Sequence, residues 1–288
     1  FLTSFKKDLL GPLIESINKN LKYSFLFNTD INPCEFLLSN LFKYVSQLVC
    51  TDILSGTFEG FEINCSRMAA THPFRSRNTT HYDNSIDTGM REKIIFDGLF
   101  VVVDKEKKTS ETVSNPCNLV ILPGNKNYNA LDGILKMTVK SDSIDISSES
   151  DGISSAATYP NQIGNDAAIK LPDGVREIGL TGFESLNNHD KEFLEKFTAY
   201  SKSEYGKTIL YRPEFKQKLL EIQKAWQNKI YFSCSETRCY VAFSTERELF
   251  VPQIIKPWDE KVVEKMRNDY DFIVSAISST VELAKLTI

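Results

Sequence analysis

Residues 94–103, Ile-Ile-Phe-Asp-Gly-Leu-Phe-Val-Val-Val, are the stretch that decides the fold. Branched aliphatic and aromatic side chains at this density suit a strand that is buried on both faces. Two earlier runs, Val49–Leu54 and Thr57–Cys65, are also strand-like, and the intervening Ser55-Gly56 predicts a hairpin turn. The stretch therefore predicts the central strand of a β-sheet.

Helical periodicity appears on both sides of this strand. The first segment predicts a helix with a kink at Gly11-Pro12 and one apolar face made of Phe5, Leu9, Leu13, Ile17 and Leu21. Further helices are predicted to begin at Pro33, at Asp190, at Pro213 and near Pro257. Helices and hairpins come in runs without βαβ alternation. The pattern predicts an α+β fold in which amphipathic helices pack on one face of antiparallel sheet, with a long C-terminal helix.

A serine-rich, acidic segment at 125–172 divides the chain. It carries too few apolar side chains to order itself, which predicts an insertion or linker. Two α+β lobes are then expected, 1–124 and 173–288, which can also form one compact domain. Residues 67–91 are interpreted as a long connection and Thr208–Tyr211 as an extended segment.

The composition limits the classes of function. The chain has 288 residues and a formal net charge of −4, from 34 basic and 38 acidic residues. Nucleic-acid binding is not expected, because it usually requires a basic surface. No window approaches the roughly 20 apolar residues of a membrane-spanning helix, so the chain as given is not expected to cross a membrane. The chain begins with Phe1, which suggests a piece of a longer protein.

Few residues in the sequence suggest catalysis or metal binding. There are three histidines, and the common nucleophile, phosphate-binding, dinucleotide-binding and zinc-protease motifs are absent. No catalytic residue, cofactor or metal site is predicted, and the absence of a Cys-x-x-Cys pair disfavours structural zinc. Cys234 and Cys239 face each other across a predicted hairpin. They are expected either to be bonded or, in a reducing compartment, to be free thiols.

A candidate interaction surface lies between the predicted strands, where aromatic rings alternate with arginine and histidine. Such residues are enriched at protein interfaces. The surface consists of His72, Phe74, Arg75, Arg77, His81 and Tyr82.

A set of motifs, in order along the chain, carries a family resemblance. They are Phe5–Leu13, Asp52–Gly56, Gly60–Glu62, Phe96–Val102, Leu119–Pro123, Glu195–Ser201, Ile209-Leu210, Pro213–Phe215 and Leu249–Pro252. In these motifs the chain resembles the bacterial family of unknown function numbered 3137. It departs from the family at Gly206-Lys207-Thr208, where an Ala-Arg-Tyr run is usual, and in the length of the insertion between Tyr128 and Asp173.

The resemblance implies a soluble domain that follows transmembrane helices near the N-terminus of a bacterial protein. The expected location is the cytoplasmic side of the inner membrane, and the expected function is a non-catalytic interaction or scaffold domain with a protein partner at the membrane. A domain that senses a ligand or peptide is one alternative. Another is a hydrolase that uses carboxylates, for which Asp97, Asp104 and Glu62 are candidates.

Overall fold

A computed structural model of the chain describes residues 5–26, 33–42, 45, 47–75, 90–105, 117–124, 168–170, 183–186, 190–227, 229–251 and 260–288. The strands within these residues are β1 Leu21–Leu26, β2 Gln47–Phe58, β3 Phe61–Arg75, β4 Met90–Asp104, β5 Leu119–Pro123, β6 Ala168–Lys170, β7 Glu184–Leu186, β8 Phe197–Ser201, β9 Ile230–Cys234 and β10 Arg238–Ser244. The helices are a π-helical segment Phe5–Leu10 and α-helices Gly11–Ile17, Pro33–Leu38, Lys191–Lys196, Glu204–Tyr211, Pro213–Trp226 and Glu260–Lys285.

These ten strands form one sheet in the order β1-β2-β3-β4-β10-β9-β5-β8-β7, and β6 pairs with β2. Every described pairing is antiparallel. Strand β4 comes before the serine-rich segment and β10 after it, and the two are hydrogen-bonded neighbours. Strands from both predicted lobes therefore share one sheet. Of residues 125–172, the structure describes only β6.

Strand β4 is the central, doubly buried strand that the sequence predicts. It lies between β3 and β10. Val101 and Val103 belong to one buried cluster, whereas Phe100 and Val102 belong to another. Because successive side chains of a strand point to opposite faces, the two clusters lie on opposite faces of the sheet.

The longer helices cover the face of Val101, as the prediction of an α+β fold requires. Helix Pro213–Trp226 buries Phe215, Leu219 and Ile222 there. The C-terminal helix buries an apolar stripe, whose members are Val262, Met266, Tyr270, Ile273, Ile277, Val281 and Ala284. That stripe is core packing. The α+β class and the long C-terminal helix are both confirmed.

The short helix Pro33–Leu38 lies on the other face. Its Phe36 ring stacks on Phe42 at a centroid distance of 4.8 Å and packs near Phe100 at 5.0 Å. Glu35 on the same helix accepts hydrogen bonds from Arg238 and from the Tyr240 hydroxyl of β10. An aromatic cluster and a charged hydrogen bond thus hold this helix against the sheet.

The first hairpin turns later than predicted. Strand β2 continues to Phe58 and β3 begins at Phe61, so the turn is Glu59-Gly60. Residues 55 and 56 lie within β2, because Ser55 pairs with Lys22 of β1 on one side and with Asn64 of β3 on the other. Pairing on both edges keeps a polar, glycine-containing stretch extended.

Two other local predictions are wrong. Residues 67–75 continue β3, and β4 begins at Met90, since both segments pair with each other. Residues 208–211 are helical: Ser203 caps the helix Glu204–Tyr211 by accepting a hydrogen bond from the Gly206 N–H at 3.1 Å. A serine cap satisfies one of the free N–H groups at a helix start.

Candidate functional site

The predicted interaction surface lies only partly within the described residues. His72 is half-buried in β3, opposite Lys93 of β4. Phe74 and Arg75 end the same strand, opposite Arg91 and Met90. The positions Arg77, His81 and Tyr82 lie outside the described residues. This surface therefore stays a prediction.

Asp97 lies apart from the other two candidate carboxylates, whereas the pairing of Ile63 with Val103 places Glu62 beside Asp104 at one end of β3 and β4. Asp97 accepts from Arg67 at 2.5 Å, Asp104 from Arg238 at 2.5 Å, and Glu62 from the Thr57 hydroxyl at 2.8 Å. Asp97 and Asp104 are seven residues apart on β4, or roughly 23 Å at the usual rise of a strand. Paired catalytic carboxylates of glycoside hydrolases lie within about 10 Å of each other.

The clearest binding feature of the described residues is an apolar ridge on the first helix. Leu9, Leu13 and Ile17 have exposed fractions of 56%, 43% and 54%. They follow one another at four-residue steps and so line one side of the helical segment. We call these three side chains the N-terminal ridge. A row of large apolar side chains in solvent is typical of a binding surface.

The opposite side of the same segment is fixed in the protein core. Leu10 and Ile14 are each 1% exposed and join the cluster that contains Leu21 and Leu54. Phe5 belongs to a separate buried cluster with two side chains of the C-terminal helix, Val262 and Met266. The ridge is therefore presented by a helix that the fold holds in one orientation.

A buried ion pair also anchors this segment. Lys6 Nζ donates to the two carboxylate oxygens of Asp52 at 2.7 and 2.8 Å and to the Leu249 carbonyl at 3.2 Å. The ammonium lies 4.7 Å from the centroid of the Phe25 ring. The Tyr23 hydroxyl donates to the same carboxylate, and burial together with the Asp52 charge raises the pKa of that phenol. Asp52 lies at an irregularity in the pairing of β2 with β3.

Charge around the ridge is mixed. The sequence of the helical segment contains two lysines and two carboxylates. Lys6 is buried in its ion pair, whereas Asp8 and Glu15 are exposed. A helix that binds an anionic membrane surface usually carries a basic polar face. Asp8 and Glu15 instead favour a partner with positive charge beside its apolar surface.

Sequence reasoning found these apolar positions but assigned them to the core. The predicted face joined Phe5, Leu9, Leu13, Ile17 and Leu21, and the structure buries only Phe5 and Leu21 of these five. Residues 5–10 are π-helical, with more residues per turn than an α-helix. The structure nevertheless places Phe5 against the C-terminal helix and Leu9 in solvent, although the two lie four residues apart in this segment. Two apolar faces exist, and the sequence pattern alone does not say which one the sheet covers.

Two isoleucines on this helix, one buried and one exposed, test which side of the helix faces the core. Ile14→Val is expected to lower the free energy of unfolding by about 1 kcal/mol, because a methylene is lost from a packed core. Ile17→Val removes the same group from solvent and is expected to change it by less than about 0.5 kcal/mol. Urea denaturation of both variants measures the difference. Equal effects would contradict the orientation described here.

Neither a metal site nor a membrane-spanning helix is found among the described residues. Within them, no three His, Cys, Asp or Glu side chains are grouped in a way that can hold a metal ion. The helices that the structure describes include none with the length and apolarity needed to cross a bilayer.

Comparison with known proteins gives one match. Residues 168–284 match the family described as "Protein of unknown function (DUF3137)". No curated protein and no solved structure matches the chain. The matched residues include β8, β9, β10 and most of the C-terminal helix. The resemblance predicted from the sequence is thereby confirmed over residues 168–284, which match the model of this family of proteins of unknown function.

Proposed function

We propose that the chain is a non-catalytic interaction domain that inserts its N-terminal ridge into an apolar groove of a partner protein. One observation carries the proposal: Leu9, Leu13 and Ile17 are each at least 43% exposed on a helix whose other side is buried. Helix-in-groove recognition uses apolar anchors one turn apart on one helix face. The ridge has this arrangement.

The chemistry of the partner follows from the side chains near the ridge. An apolar groove complements the three aliphatic side chains, and lysine or arginine at its rim complements Asp8 and Glu15. The ridge spans nine residues, from Leu9 to Ile17, or about 12 Å along a helix axis. Contact over so short a segment fits a small, reversible interface of the kind seen in transient complexes.

We further propose that the domain belongs to a bacterial inner-membrane protein and lies on the cytoplasmic side. The family resemblance supports this, since it implies membrane helices near the N-terminus. In the arrangement that the resemblance implies, the anchor precedes the domain, and the ridge lies in the N-terminal part of the domain. A partner at the membrane is within reach of it in this arrangement.

The experiment compares two versions of the tagged full-length protein purified from native membranes in detergent. One is the wild type, and the other carries Leu9→Ser, Leu13→Ser and Ile17→Ser. Buried apolar anchors commonly contribute 2 kcal/mol or more to binding. We expect a partner that is enriched with the wild type and reduced at least about tenfold with the variant, measured by quantitative mass spectrometry.

A second triple variant serves as the control. Leu38→Ser, Leu194→Ser and Ile288→Ser remove side chains of the same types with exposed fractions of 49%, 46% and 47%. This variant is expected to retain the partner. The proposal is wrong if both variants lose it equally, or if the wild-type chain binds anionic vesicles through the ridge without any protein.

A further inference from the structure

Three cysteines and one lysine meet at one end of the sheet. Lys105 directly follows β4, Cys117 precedes β5, Cys234 ends β9 and Cys239 lies near the start of β10. The three thiols are buried, with exposed fractions of 2% or less, and Lys105 is half-buried. We call these four residues the thiol cluster. The proposed interaction through the ridge does not use them.

Hydrogen bonds converge on Cys234. Lys105 Nζ lies 2.8 Å from Cys234 Sγ and 3.0 Å from the Ser235 carbonyl oxygen. The Cys117 and Cys239 thiols lie within hydrogen-bond reach of the same sulfur. Cys239 is also 3.2 Å from the Thr287 hydroxyl. One sulfur thus faces an ammonium group and two thiols.

This arrangement favours a thiolate at Cys234. Burial by itself would raise the pKa of Cys234, but hydrogen bonds from Cys117 and Cys239 and the charge of Lys105 outweigh it and hold that pKa well below the usual value. The hydrogen bond to Cys234 raises the pKa of Cys117. Burial, followed by the hydrogen bond to Cys234, raises the pKa of Cys239. Of the three thiols, Cys234 is therefore the one whose neighbours most favour ionisation.

Cys50 and Cys65 provide an internal comparison. They are as deeply buried as Cys234, with exposed fractions of 1% and 0%. Burial raises the pKa of Cys50 to about 12, and burial also raises that of Cys65. No described lysine contacts either sulfur. Any difference in reactivity between Cys234 and this pair therefore reflects the groups around the sulfur and not the extent of its burial.

The thiol cluster lies beside the protein surface. The hairpin turn after Cys234 contains Glu236 and Thr237, which are exposed. Lys105 lies over the sulfur, and its side chain reaches solvent in part. Since Lys105 is only half-buried, movement of its side chain is expected to bring Cys234 closer to solvent.

We infer that Cys234 is a peroxide-reactive thiolate that forms a reversible disulfide with Cys117. In the first step the thiolate attacks one peroxide oxygen, the O–O bond breaks, and the leaving hydroxide takes a proton to become water. Cys234 is then a sulfenic acid. In the second step Cys117 sulfur attacks Cys234 sulfur, and its thiol proton leaves with the sulfenic oxygen as a second water. Two thiols are oxidised and one hydrogen peroxide is reduced to two waters.

Cys117 suits the second step better than Cys239. Cys239 is held in β10, where it pairs with Val103 on one side and directly with Cys234 on the other. The Ser235 N–H bonds the Arg238 carbonyl at 2.8 Å, so the next pair, Cys234 and Cys239, is a non-hydrogen-bonded pair. Such pairs have Cα atoms about 4.5 Å apart, at the short limit for a disulfide. Cys117 lies outside the ladder of strand hydrogen bonds.

The test treats the 288-residue chain with hydrogen peroxide and maps its thiols and disulfides by mass spectrometry of unreduced digests. We expect a Cys117–Cys234 linkage that dithiothreitol removes, while Cys50 and Cys65 stay reduced. In Cys117→Ser, the reaction is expected to stop at a Cys234 sulfenic acid that dimedone traps. A Cys234–Cys239 linkage, or equal oxidation of Cys50 and Cys65, would overturn the inference.

Two variants of Lys105 test its role as a positioning charge. Lys105→Met is expected to slow oxidation of Cys234 by about tenfold or more and to remove the thiolate absorbance in the ultraviolet, since an ordinary thiol is only a few per cent ionised at neutral pH. Lys105→Arg keeps the charge and is expected to preserve both. An unchanged rate in Lys105→Met, with its fold intact by circular dichroism, would contradict this role.

Discussion

Asp52→Ala is expected to lower the free energy of unfolding by about 3 to 5 kcal/mol, because it leaves the Lys6 ammonium buried without a counter-ion. Both side chains of this pair are 4% exposed. The substitution also removes the acceptor of the Tyr23 hydroxyl. Equilibrium urea denaturation measures the loss. The first helical segment, which carries Lys6, is expected to lose its protection from hydrogen exchange.

An exposed ion pair of the same charge type is the control. Lys285 and Glu59 are 2.7 Å apart, with side chains 48% and 47% exposed. Exposed pairs are worth about 0 to 1 kcal/mol, so Glu59→Ala should have a small effect. Adding Lys6→Met to Asp52→Ala is expected to restore much of the stability, since no unpaired charge then remains. If Asp52→Ala costs no more than Glu59→Ala, the pair does not anchor the segment.

Gly98→Ala is the second substitution with a large expected effect. A Cβ at this position would lie 2.0 Å from the Phe243 carbonyl oxygen of β10 and 2.9 Å from the Phe96 ring. The backbone of β10 cannot move away from the added Cβ without breaking the pairing of β4 with β10. We expect a loss of about 3 kcal/mol or more, at the upper end of the cost of overpacking. The midpoint of urea denaturation reports it.

Gly60→Ala is the comparison for this prediction. Gly60 lies in the turn between β2 and β3, with φ at +86° and no atom within 4 Å of an added Cβ. Its substitution therefore costs only backbone strain, about 1 to 2 kcal/mol. A larger loss for Gly60→Ala than for Gly98→Ala would show that β4 and β10 are not packed as closely as described.

The elements that the sequence predicted well have strong local signals. Strand β4 has a run of branched and aromatic residues, the helix at Pro213 has an apolar side chain every three or four residues, and β9 and β10 flank a short polar turn. Two of the three wrong local predictions, at 55–56 and 67–91, concern segments whose state depends on distant residues, whereas the helix over 208–211 follows a local cap at Ser203. Ser55 and Gly56 stay extended because β1 and β3 pair with them from both sides.

The placement of the candidate site residues depends even more on residues that are distant in the sequence. The sequence contains Leu9, Leu13 and Ile17 in a clear period, yet their exposure follows from which side of the helical segment packs on the sheet. The candidate surface from His72 to Tyr82 rested on composition alone. Composition identifies residue types that suit an interface, but it carries no information on where the chain places them.

By itself, the sequence determined the α+β class, the central strand, the long C-terminal helix and the family resemblance, because hydrophobic period and turn residues act over a few positions. Only the tertiary structure decided that Lys6 meets Asp52 and that Lys105, Cys117, Cys234 and Cys239 form one cluster. Those side-chain contacts follow from the strand order, in which β4 neighbours β10 and β9 neighbours β5. Strand order is set by the packing of the whole sheet, and no local pattern encodes it.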